Sequence, residues 1–164
     1  MADPVLTRIL DVVKARLAVS YDNAGEVIIV RDGRPVNIET STVVVQQMPV
    51  MPAPAHNRMG NPPAIGYAVP VHIHRFMQID ATTDETEEEY SERCNLVASG
   101  IVDLITSPVS GPALHWHTMN GTAMLTTIGA MKYLPTDAGV RPGITIPLVI
   151  TYRVSENDHT EARN

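Results

Sequence analysis

Aromatic side chains are scarce in this 164-residue chain: five Tyr, one Phe and one Trp. A core with so few rings must be aliphatic. The single cysteine, Cys94, excludes an internal disulfide and fits synthesis in a reducing compartment. Lysine occurs only at Lys14 and Lys132, and the arginines are scattered. The basic stripe that releases counterions from nucleic-acid phosphates is therefore missing. Twelve basic residues against 18 acidic ones leave a net charge of −6. No apolar run approaches the ~18 residues of a membrane span. The start, Met1-Ala2-Asp3-Pro4, places an acid where a secretory leader carries bases. The expectation is a chain assembled in the cytoplasm, away from membranes.

What the chain has in quantity is β-branched: 19 Val, 13 Ile and 15 Thr. Stiff branched side chains favour a pleated surface, so the aliphatic core is expected to be mostly sheet. Thirteen Pro and 10 Gly punctuate it, which excludes a coiled coil. A hydrophobic fraction of 44% excludes a disordered chain. The length suits one domain and would leave two marginal ones.

Periodicity predicts two helices. From Pro4 to Val19, Val5, Ile9, Val13 and Leu17 recur at four-residue steps, with Leu6 and Leu10 widening the stripe. Asp3 is the expected cap, Pro4 a first-turn residue, and 21–25 the stop. From Glu85 to Thr106, Tyr90, Cys94, Val97, Ile101 and Leu104 form the second stripe. Its glutamates crowd the first turns, where the helix dipole favours negative charge, and Pro108 and Gly111 end it.

Strands are expected at Val27–Val30, Thr40–Gln47, Ala64–Ile79, Ala113–His117, Ala123–Leu134 and Ile144–Val154. Asp32-Gly33 before Pro35 and the stretch 135–139 read as turns, and Asn120-Gly121 as a hairpin turn. On the third strand Val69, Val71, Ile73 and Met77 share a face, with His72, His74 and Phe76 opposite. Between Met48 and Pro63, five prolines and three methionines predict an exposed loop of about 15 residues that cannot join a central sheet or continue a helix. The order argues an α+β domain over residues 1–154, both helices on one face of a mainly antiparallel sheet. Residues 155–164 read as a flexible polar tail.

For chemistry, two His-x-His pairs compete: His72-Ile73-His74 and His115-Trp116-His117. On adjacent strands they would present four imidazoles to one metal. The plainer reading makes them polar-face residues beside buried Ile73 and Trp116, and no acid lies within three residues of either pair. The glycines and downstream Glu of a cupin-like site are absent too. Cys94 falls on an apolar stripe, where a buried thiol is ordinary. Ser110-Gly111 lacks the partner glycine of a nucleophile elbow, and phosphate and dinucleotide loops are missing. The acidic block 84–89 reads as a solvated helix start rather than a cation site. Met48, Met51 and Met59 read equally as an adaptable contact surface or as ordinary loop packing.

The layout resembles the tail-terminator (tail-completion) proteins of long-tailed bacteriophages. The carriers are the amphipathic helix Leu6-Thr-Arg-Ile-Leu-Asp-Val-Val-Lys-Ala-Arg-Leu17, the strand Pro70-Val-His-Ile-His74, the acid-led helix 85–106 and the closing strand Pro147-Leu-Val-Ile-Thr-Tyr-Arg-Val154. The resemblance covers residues 4–154 and is architectural. It implies a virion protein of the tail or neck: a homohexameric ring that caps the tail-tube protein and offers its other face to the head–tail connector. DNA would pass the lumen without specific binding. It implies no catalytic residue and no cofactor. The loop 48–63, with Met48, Met51, Arg58 and Met59, is the expected subunit or partner contact. The alternatives are a tail-tube or head–tail joining protein and, from another class, a metal-dependent β-fold enzyme using the four histidines.

Overall fold

Two long strands run antiparallel through the centre of the molecule, and short pieces of chain complete them on both sides. The computed structural model describes residues 2–21, 27–31, 43–77, 80–107, 115–134 and 143–163. Within these, Ala64–Phe76 (β4) pairs along its whole length with Gly143–Ser155 (β7). The outer side of β4 takes Val43–Gln47 (β2) opposite Val71–Arg75, then Met51–Pro52 (β3) opposite Tyr67 and Ala68. Val27–Val30 (β1) adds to β2 in parallel, the one parallel pairing among the described residues. The outer side of β7 takes Lys132–Leu134 (β6), Leu125–Ile128 (β5) and Asp158–Ala162 (β8) in turn. The result is an eight-stranded, mainly antiparallel sheet.

The two helices lie on one face of this sheet, so the fold is α+β. Val5–Ala18 (α1) buries Val5, Ile9, Leu10, Val13 and Leu17. Pro4 itself occupies the N-cap, and no side chain closes the first turn, so Asp3 does not cap it. Glu87–Thr106 (α2) starts two residues later than expected, because Thr86 and Glu89 form a reciprocal capping box. Glu85 is instead held outside the helix, accepting from Asp80 N–H at 2.7 Å and pairing with Arg93 at 2.7 Å. The buried stripe of α2 is Cys94, Ala98, Ile101 and Ile105; Val97 and Leu104 flank it. The true helical pitch accounts for this rotation.

Arg16 is buried where the helices meet. Its guanidinium donates to Ile105 O at 3.0 Å, Ser107 O at 2.8 Å and Asn120 Oδ1 at 2.8 Å. A cation thus sits on the last carbonyls of α2, which have no partner inside the helix. Burial pushes the pKa of this guanidinium down.

Several expectations need correction. Residues 48–63 keep out of the sheet's centre but are more than a loop. They form a strap along the edge of β4, tied by Met48 N–H to Pro70 O, Ala53 N–H to Gly66 O, and reciprocal bonds between Arg58 and Ala64, all at 2.9 Å. Proline is tolerated because an edge strand offers only one side to the ladder. A Cβ on Gly66 would meet Ala53 O at 2.6 Å, so the strap lies against bare backbone there.

The expected strand 123–134 is two strands. Three residues, 129–131, face two on β7, and one of those two is Pro147, which has no N–H to donate. Asn120-Gly121 is a turn, with Met119, Asn120 and Gly121 all at positive φ, but it joins a 3-10 turn to β5 rather than closing a hairpin. The expected polar tail 155–164 is not free chain over residues 155–163, since β8 returns along β7 and Arg8 donates to Thr160 O at 2.6 Å. The expected turns at 32–35 and 135–139, the helix stops at 22–25, Pro108 and Gly111, and residues 40–42, 78–79 and 113–114 of the expected strands lie outside the described residues. Among the described residues no helix is long and apolar enough to cross a membrane.

Candidate functional site

The histidines were the strongest chemical candidates, and the structure separates them. His72 and His74 lie on β4, pointing to the face away from the helices, with ring centroids 5.9 Å apart. His115 and His117 flank Trp116 in a 3-10 turn, not a strand, that packs against β5 and α2. Both are exposed, and the His117 ring lies 3.9 Å from the Trp116 ring. Among the described residues no group of three or more His, Cys, Asp or Glu is placed to hold a metal ion. The four-imidazole centre is therefore not built. The turn forms because Met119 closes it in the left-handed conformation, which no strand tolerates.

His74 is engaged on both sides. Its Nε2 lies 2.8 Å from Gln46 Oε1 and its Nδ1 2.8 Å from Thr145 Oγ1. An amide oxygen only accepts, so this geometry puts the ring hydrogen on Nε2 and lets Nδ1 accept from the Thr145 hydroxyl. Burial, and then the neighbouring His72, push the His74 pKa down to about 4. The ring is therefore neutral at pH 7, held so by burial, and Nδ1 is left to accept from the Thr145 hydroxyl. Burial and the Lys132 ammonium also lower His72. With both nitrogens taken, His74 is a structural tie across β2, β4 and β7. Neither Gln46 nor Thr145 was signalled by sequence, because their meeting depends on strand register.

Cys94 is fully buried, with its Sγ 3.9 Å from Met77 Sδ, as a stripe residue should be. The acidic block is a capped helix start: Glu89 accepts from Thr86 N–H at 2.8 Å and Glu85 is tied to Arg93.

The strap holds the expected contact residues differently from one another. Met48 is half-buried, Met51 is 50% exposed, Met59 is 93% exposed and Arg58 is exposed. The backbone is nonetheless pinned, with Asn57 Oδ1 accepting from Gly66 N–H at 2.8 Å and Arg153 Nε donating to His56 O. Between the strap and the end of β8 lies a groove of about 490 Å³, lined by Arg58, Met59, Asn61, Pro62, Glu161 and Arg163 among others. Glu161 and Arg163 pair at 3.1 Å. The groove's second wall was missed in the sequence, where residues 155–164 carry no strand periodicity.

No protein-family model and no curated protein sequence matches this chain.

Proposed function

We propose that this chain is a structural subunit of a long-tailed bacteriophage tail. It acts as the terminator, closing into a ring of about six copies that caps the tail tube and presents a docking surface to the head–tail connector. It would be assembled in the host cytoplasm and carried in the tail or neck of the virion. The observation that carries this reading is the strap: its backbone is pinned to β4 while Met51, Arg58 and Met59 face outward. Ordering exposed apolar side chains on a fixed backbone lowers the entropy lost on association. A soluble domain gains nothing from it alone. The layout resemblance over residues 4–154 supplies the kind of assembly. Against the enzyme alternative, the four histidines are not gathered into a metal-holding group among the described residues, which favours the structural reading.

Native mass measurement with negative-stain imaging of the purified chain tests the reading. Closed rings of about six subunits with an open lumen are expected. Open tubes would favour the tail-tube alternative, and a chain that stays monomeric at high concentration would overturn both.

A further inference from the structure

Charge is unevenly placed along this molecule. Residues 80–93 contain seven carboxylates and one arginine, so this stretch carries −6, the whole net charge of the chain. No Asp or Glu occurs from residue 40 to residue 79, the part that includes β2, the strap and β4. On α2, Glu88, Glu92 and Leu96 are exposed and step by four, which lines them up on one outer ridge. Leu96 is 74% exposed, an apolar side chain one turn from the Glu92 carboxylate, and neither Glu88 nor Glu92 is paired among the described residues. On the strap the pattern is mirrored with opposite sign. Arg58 is exposed and its guanidinium has no partner among the described residues, while Met59 beside it is 93% exposed.

These two surfaces lie at opposite ends of β4. Arg58 bridges to Ala64, the first residue of the strand, while Tyr90 of α2 donates to Met77 O, just past its last. Thirteen strand residues span about 40 Å. Complementary patches at opposite ends suit head-to-tail contact between copies, the heterologous kind that closes rings.

We infer that the strap groove of one copy receives the Glu88–Glu92–Leu96 ridge of a second copy, Arg58 against the carboxylates and Met59 against Leu96. This contact rests on the ring reading above and specifies its two sides. Glu161, which lines the groove, is already paired with Arg163 and so does not repel the incoming ridge on its own. Association through such a contact weakens as salt rises.

The test uses the full chain in sedimentation velocity and native mass measurement at low and high salt. It compares wild type, Arg58→Glu, the pair Glu88→Arg with Glu92→Arg, and all three changes together. Each one-sided reversal is expected to weaken association at least about tenfold, and the combined variant to restore it. Met59→Ser and Leu96→Ser should each weaken it too. All these positions are exposed, and circular dichroism confirms that each variant is folded. Rings that survive the one-sided reversals, or a combined variant that fails to assemble, would overturn this contact while leaving the ring reading intact. A wild-type chain that is monomeric at low salt would overturn the ring reading and this contact together.

Discussion

The two faces of the central sheet share the same strands and are held by different means. Under the helices, Val69, Val71 and Ile73 of β4 lie beside Ile146, Leu148 and Ile150 of β7, all essentially inaccessible to solvent. That face is stabilised by removing aliphatic surface from water. The opposite face has a polar row, Gln46–His74–Thr145, next to a small cluster of Val44 and Phe76 with Ile28 and Val30. Toward β5 it leaves Val149 and Leu125 41% and 48% exposed. One face tolerates loss of volume badly and indifferently accepts any apolar shape that fits. The other depends on direction, because each hydrogen bond needs its own partner.

The largest break in this contrast is on the helix face. Ile73→Ala should lower stability by about 3 kcal/mol in denaturant unfolding, from lost transfer energy plus an unfilled cavity. A change below ~1 kcal/mol would mean that the aliphatic layer is less closely packed than its burial indicates.

The polar row should make stability depend on pH. His74 titrates near 4 in the folded chain, against an ordinary value of 6.5. Above 6.5 it is neutral in both states and has no effect. As pH falls from 6.5 to 4, the unfolded chain binds a proton that the folded chain refuses, so stability declines. The loss is complete below about 4. With His74 only half-buried, solvent screening limits it to about 2 kcal/mol. His74→Gln should flatten that part of the profile, measured by unfolding at a series of pH values; an unchanged slope would assign the titration elsewhere.

A buried hydroxyl on the helix face sharpens the comparison. Thr126 is 1% exposed and its Oγ1 has no partner among the described residues. Thr126→Val removes that hydroxyl at nearly constant shape and should raise stability by about 1 kcal/mol. Destabilisation instead would reveal an unseen partner. The smallest effect belongs to the open face, where Val149→Thr should stay within ~0.5 kcal/mol. A larger cost in the assembled protein than in the monomer would mark Val149 as covered on association.

Much of the fold is legible in the order of residues. Val5, Ile9, Val13 and Leu17 repeat every four, and Ile144 through Tyr152 repeat every two, so α1 and β7 follow from local geometry alone. The alternation on β4 also placed His72 and His74 on the face opposite Ile73. The strap was read as plain loop because proline density excludes a central strand, while an edge position still admits a short one. β8 was missed because Asp158-His-Thr-Glu-Ala162 has no apolar period; Arg8, donating to Thr160 O, and the end of β7 hold it instead. His115 and His117 were misread because a left-handed residue two positions later ends any strand, and nothing in Trp116 or Met119 announces that turn.

The amino-acid order by itself determined the aliphatic layer, the two helices, and the acidic stretch at 80–93, because each depends on neighbours within a few residues. The tertiary structure alone decided which distant groups meet. It set His74 between Gln46 and Thr145, buried Arg16 on the end of α2, and placed Arg58 and the Glu88–Leu96 ridge at opposite ends of one strand. Those pairings depend on strand register and chain crossing, in which a shift of one residue turns every side chain to the other face.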